Sequence, residues 1–239
     1  MTSRDITFPA ADGHPMRAAI AGGEDGSRRP GVIVIHEIFG LNDDIRRITA
    51  RVAGLGYVAL APDLYDGPGA RAICIARTVI ALNRGSGEAF LDLEAARKLL
   101  AQQPNVDGSR IGVIGFCMGG GFALLYAVRA PMNVCATFYG DVPKTADKIR
   151  GVCPVLGGYG SDDKLFASQG RRLNTLLDEN NVAHDVKIYD GAGHSYMNRH
   201  EGMLARLASY RPMRVGYNHD AAEDSWKRID AFFAKHLGR

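Results

Sequence analysis

The run PGVIVI at residues 30–35 limits the fold of this chain more than any other stretch. From Gly31 to Ile35 it holds no polar side chain, so a strand built from it has no face to turn toward water. Strands of that kind lie inside parallel sheets covered by helices on both sides. YVALA at 57–61, RIGVIGF at 110–116, residues 133–139 and CPVLGGY at 153–159 repeat the pattern, and HDVKIY at 184–189 adds a further strand. Between them lie helical segments. Asn42 caps one that carries Asp43 and Asp44 in its first turn, shows Ile45, Ile48, Val52 and Leu55 on one face and stops at Gly56. Others span 88–103, about 117–129, 166–180 and about 220–237. Strands near 4–8 and 15–21 flank a turn at 11–13 and read as an antiparallel pair. Alternation over most of the chain predicts an α/β fold with a mostly parallel sheet. Residues 62–87, punctuated by Pro62, Gly67, Pro68, Gly69, Gly85 and Gly87, read as a longer excursion forming part of a lid.

The 239 residues carry a formal net charge of +3 with Lys and Arg scattered, so no nucleic-acid footprint is present. No apolar run approaches the roughly 18 residues of a membrane span, and the N-terminus has no signal-peptide pattern. No repeat or linker divides the chain, which reads as one domain, residues 1–239. Cys74, Cys117, Cys135 and Cys153 form no C-x-x-C pair and no zinc pattern, which predicts no metal and a cytoplasmic setting. Three of them, Cys74, Cys135 and Cys153, read as small core residues.

The remaining cysteine stands apart. GFCMG at 115–119 follows a strand and opens a helix beginning GGG at 119–121. A sharp strand-to-helix turn lifts Cys117 above the C-terminal edge of the sheet, and the helix N-terminus favours a thiolate and offers N–H groups to an oxyanion. Such a nucleophile needs a base, and the base needs an orienting acid. The expected order is nucleophile, acid, histidine. The strand ending in GSDD at 160–163 supplies Asp162 or Asp163, with Asp163 preferred. The glycine loop GAGHS at 191–195 supplies His194. His184, at the start of a strand, and His219 and His236, at or on the last helix, fit surface or capping roles; His200 is a further rival. HEIFG at 36–40 lacks the second histidine of H-E-x-x-H, so a zincin reading fails. Glu37 instead falls at a strand end near the thiol, where a loop N–H can complete an oxyanion hole.

These motifs, together with APDLY at 61–65, resemble the dienelactone hydrolase family of the α/β-hydrolase fold. The resemblance implies an ester or lactone hydrolase (carboxymethylenebutenolidase-like) with Cys117 as nucleophile, His194 and Asp163 as its partners, and Glu37 as a second carboxylate that takes the thiol proton. It implies oxyanion donors at the Ile38 and Met118 N–H groups, an acyl-thioester intermediate, a small-molecule substrate and no cofactor. The chain departs from the family pattern where an arginine four residues after the histidine is expected: Asn198 stands there, followed by Arg199. Arg71, Arg77 and Arg84 are candidates for a second substrate-binding arginine, and residues 199–219 are longer than the pattern. A redox-responsive or ligand-binding thiol protein on the same scaffold is the alternative.

Overall fold

The computed structural model describes residues 2–200 and 212–238; residues 201–211 of the long segment noted above lie outside it. Among the described residues eight strands form one sheet: β1 (Arg4–Pro9), β2 (Pro15–Ala21), β3 (Arg29–Ile35), β4 (Val58–Pro62), β5 (Val106–Phe116), β6 (Val134–Phe138), β7 (Val155–Gly160) and β8 (His184–Tyr189). Their spatial order is β1-β2-β4-β3-β5-β6-β7-β8. The β1–β2 hairpin and the β2–β4 pair are antiparallel; every pair from β4 to β8 is parallel. Among the described residues the α-helices are α1 (Asp43–Gly54), α2 (Arg71–Arg84), α3 (Glu88–Ala101), α4 (Met118–Ala127), α5 (Ala167–Glu179) and α6 (His219–His236). None is long and apolar enough to cross a membrane among the described residues.

The apolar run that opened the sequence is buried on both faces. Val32 and Val34 of β3 join one core with Ile45, Ile48 and Val52 of α1 and Trp226, Ile229 and Phe233 of α6. Ile33 and Ile35 point the other way, into a core with Leu93 of α3, Phe122 of α4 and Leu173 of α5. The period-2 geometry of a strand divides these residues between the two helical layers. Asn42 caps α1 as expected, its side chain accepting from the Ile45 N–H at 2.9 Å. Arg51 ties α1 to α6 through two bonds to Glu223, at 2.8 and 2.6 Å, and lies over the Trp226 ring.

Two readings of the sequence need correction. The excursion expected over 62–87 contains a regular helix, α2, whose Cys74, Thr78 and Ala81 are buried. The glycines and prolines bound this helix rather than break it: Gly85 ends it in the left-handed conformation (φ 63°). Strand β5 also starts earlier than the apolar run indicates. Arg29 and Pro30 pair with Val106 and Asp107, and the register then jumps so that Gly31 meets Ile111. The unpaired residues fold over Asp107, whose side chain accepts from the Ser109 N–H at 3.1 Å and hydroxyl at 2.6 Å.

The turn from β5 into α4 depends on absent side chains. A Cβ at Gly115 would run into the Gly119 carbonyl, and one at Gly119 into the Ile35 and His36 carbonyl oxygens. Both obstacles are backbone, which cannot rotate aside. Gly119→Ala is expected to lower the melting temperature, with a cost of about 1–3 kcal/mol for overpacking. Gly54→Ala, where nothing lies within 4 Å and φ is ordinary, is expected to leave the melting temperature unchanged or raise it, because alanine is the better helix residue. Equal destabilisation by both would contradict this account of the turn.

Candidate active site

Cys117 occupies φ 52°, ψ −118°, a conformation L-residues rarely adopt, at the N-cap of α4. The turn holds it there: its N–H donates to Phe138 O at 3.0 Å, and its carbonyl accepts from Gly120 N at 2.9 Å. The thiol is partly exposed, whereas Cys74 and Cys135 are buried. Burial pushes the Cys135 thiol well up and that of Cys153 to about 12, so neither forms a thiolate near neutrality.

The loop after β7 and the loop after β8 meet beside Cys117. Asp163, not Asp162, reaches the histidine: His194 Nδ1 and Asp163 Oδ2 are 2.6 Å apart, and both residues are buried. The other Asp163 oxygen accepts from the N–H groups of Leu165 and Phe166, each at 3.2 Å, which fixes the carboxylate in direction. Asp162 turns outward and pairs with Arg214. The His194 backbone is held by Met213 O at 2.9 Å, and its ring lies between Tyr139 and Phe166, with centroids at 5.2 and 4.9 Å. Burial opposes charge on this imidazole, but the Asp163 carboxylate and the Cys117 sulfur outweigh it and raise its pKa to about 9. Its Nε2 has no partner in strict hydrogen-bonding geometry among the described residues, a looseness common in sites without substrate.

Glu37 lies 1% exposed beneath the same cleft. His36, directly before it, aims it. The Leu64 N–H donates to His36 Nε2 at 3.0 Å, so Nδ1 carries the ring proton and donates to Glu37 O at 2.7 Å. The Glu37 carboxylate is poorly satisfied. Ser195 Oγ donates to Oε2 at 3.4 Å, and Oε1 takes no hydrogen bond from any described residue. Burial and the nearby Asp44 carboxylate raise its pKa to about 8, against the pull of His194 and Ser195. Ile38 is 37% exposed at the cleft mouth, and Met118 is the first residue of α4. Neither backbone N–H donates to a described residue.

The candidate substrate contacts separate. Asn198 is fully buried and committed internally: its Nδ2 donates to Asp44 Oδ2 at 2.8 Å and its Oδ1 accepts from the Tyr139 hydroxyl. Arg199 is exposed and lies over the Tyr217 ring at 4.9 Å. Arg77 and Arg84 line another cavity of about 510 Å³, whose walls include none of Cys117, Glu37 and His194. Arg71 alone of the three reaches this side, 3.7 Å from Asp63 and over Tyr65, whose hydroxyl donates to Met118 Sδ at 3.4 Å. Sequence reasoning missed Ser195, His36, Asp44, Tyr139 and the placement of His200 beside Glu37. Of these only Ser195, adjacent to His194, and His36, adjacent to Glu37, carried a local signal.

Three of the five non-glycine residues with positive φ among the described residues are Cys117, Tyr139 and Ser195. Each such conformation costs about 1–3 kcal/mol and persists only where the surroundings enforce it. The buried Glu37 adds a pH-dependent cost. Its folded pKa, about 8, exceeds the ordinary 4.5, so its contribution to stability is present below pH 4.5 and is lost as pH rises through 8. Glu37→Gln is therefore expected to melt with wild type near pH 4.5 and increasingly above it toward pH 8. A difference in melting temperature that stays constant with pH would contradict this.

The chain matches the model of the dienelactone hydrolase family over residues 16–237. It is 31% identical to the carboxymethylenebutenolidase of Rhodococcus opacus over 219 residues, covering 86% of this chain and 81% of that protein. Its fold superposes with a TM-score of 0.83 on a dienelactone hydrolase-like promiscuous phosphotriesterase from metagenomic libraries, at 27% identity over the full length of both chains. An esterase from Pyrobaculum calidifontis, 18% identical, shares the fold with a TM-score of 0.69, over 98% of this chain and 85% of that one. The strand order, the elbow and the match over residues 16–237 lead to one assignment: the chain belongs to the dienelactone hydrolase family.

Proposed function

We propose that this protein hydrolyses carboxylic esters or lactones through Cys117, with His194 as its proton-transfer partner, Asp163 orienting His194, and Glu37 as the acceptor of the thiol proton. The observation that carries this reading is the buried 2.6 Å His194–Asp163 pair beside a thiol held at φ 52°. The Rhodococcus carboxymethylenebutenolidase supports a lactone among the substrates.

The chemistry balances with these groups. Ionised Glu37 takes the thiol proton and leaves a thiolate next to His194, which is protonated at neutral pH. The thiolate attacks the carbonyl carbon. Charge builds on the carbonyl oxygen, where the Ile38 and Met118 N–H groups are free to receive it. The C–O bond breaks, and the leaving oxygen takes the His194 proton. In a lactone both products stay in one chain, now a thioester on Cys117. Neutral His194 then draws a proton from water, the hydroxide attacks the thioester, and the thiolate leaves beside a restored imidazolium.

Cys117→Ala is expected to lower kcat/KM on lactones and aryl esters by roughly 10⁴–10⁶-fold, the usual cost of removing such a nucleophile. Equal rates for variant and wild type on a broad panel would overturn the reading. Arg71, on the cleft side of α2, is the arginine best supported for a substrate carboxylate. Arg71→Ala is expected to raise KM about tenfold for a carboxylate-bearing lactone, equivalent to ~1.4 kcal/mol, with kcat and neutral-ester kinetics little changed. A parallel loss on both substrate types would remove Arg71 from that role.

A further inference from the structure

We infer that His200 is the positioning residue for Glu37, holding its carboxylate beside the Cys117–His194 pair through an imidazole rather than a permanent cation. The inference rests on the role proposed above for Glu37. His200 Nδ1 lies 3.3 Å from Glu37 Oε1, and the two side chains are 7% and 1% exposed. Among the described residues His200 is the one basic side chain at ion-pair distance from Glu37. The contact involves Oε1, the carboxylate oxygen that has no partner in strict hydrogen-bonding geometry, His200 included. The His200 ring is itself seated, edge-on to Phe39 with centroids 5.2 Å apart. Phe39 lies two residues after Glu37, so the same turn carries both the carboxylate and the surface that locates its partner.

The arginines that could substitute are occupied elsewhere. Arg47 bonds Asp44 at 2.6 Å and Met197 O at 3.3 Å, and Arg199 lies over Tyr217. The groups acting on Glu37 from neighbouring elements are Asp44 on α1 and His194 and Ser195 after β8; those acting on His200 are Asp44 and His194. Tyr65 after β4, Tyr139 after β6 and Cys117 at the elbow share the cluster as neutral or thiol groups. Burial lowers the His200 pKa, so its charge is readily lost. A neutral imidazole of this kind faces the ionised Glu37 with its Nδ1 edge, a weaker hold than a permanent cation gives. Among the described residues no permanent cation stands at ion-pair distance from Glu37.

The test is the pH dependence of Cys117 alkylation by iodoacetamide, followed by peptide mass spectrometry in the wild type, Glu37→Gln, His200→Phe and His200→Asn. His200→Phe keeps a ring against Phe39 and removes the N–H; His200→Asn keeps a donor and removes the titration. The wild-type profile is expected to contain an inflection that Glu37→Gln abolishes. In His200→Phe that inflection is expected to move up by about half a pH unit or more, because the ionised carboxylate loses its donor. His200→Asn is expected to return it toward the wild-type position. An unmoved inflection in folded His200→Phe overturns the inference, as does an equal effect of that substitution in the Glu37→Gln background. Superimposable profiles for wild type and Glu37→Gln would instead refute the proposed role of Glu37, and that of His200 with it.

Discussion

The backbone of one residue, Cys117, organises the rest of this molecule. To leave β5 and enter α4 within a single residue the chain must adopt positive φ at a side chain that is not glycine. The cost is held down by crowding: α4 begins close enough to β3 that Gly119 lies on the Ile35 and His36 carbonyls, and Gly115 lies on Gly119. The sheet order places β5 between β3 and β6. The elbow therefore opens between the loop bearing Glu37 and the loop bearing Tyr139. The parallel strands β7 and β8 deliver Asp163 and His194 to the same edge. Ligand sites in open parallel sheets lie beyond the carboxyl ends of the strands for this reason.

Two buried carboxylates then behave differently because their surroundings differ. Asp163 receives two backbone N–H groups and the His194 ring. Glu37 receives one long hydroxyl contact and an off-axis imidazole. With the Asp44 carboxylate behind it, Glu37 binds its proton far more tightly than an ordinary glutamate. One acid suits a fixed electrostatic role and the other suits a proton that comes and goes. That division of labour is the physical basis of the proposed scheme, in which the thiol becomes reactive through Glu37 and remains so through His194.

Much of this was legible in the sequence because it is local. Unbroken β-branched runs identified the buried strands, Asn42 identified a helix start, and the order of GFCMG, GSDD and GAGHS located the loops that converge. The helix at 71–84 was hidden because Gly67, Pro68 and Gly69 ahead of it and Gly85 and Gly87 behind it mark its boundaries but read as breaks. The strand read at 110–116 leaves out its start at Val106, because a register jump inside β5 cannot be inferred without the neighbouring strand. His200 is far from Glu37 along the chain and Asp44 stands at the start of the next helix, and neither approach to Glu37 carries a local sequence signal. The roles open to Asn198 and Arg199 depended on side-chain direction: one points into the protein toward Asp44 and the other out toward Tyr217.

The central claim is that the acyl group passes through Cys117. Rapid acid quench of the wild-type protein during turnover of an aryl ester, followed by peptide mass spectrometry, tests it directly. The account predicts a transient mass increase equal to the acyl group on the peptide carrying Cys117, rising to a steady level while substrate lasts and disappearing as it is exhausted. Continued turnover with that peptide unmodified, or with Cys117 already blocked by alkylation, would contradict it.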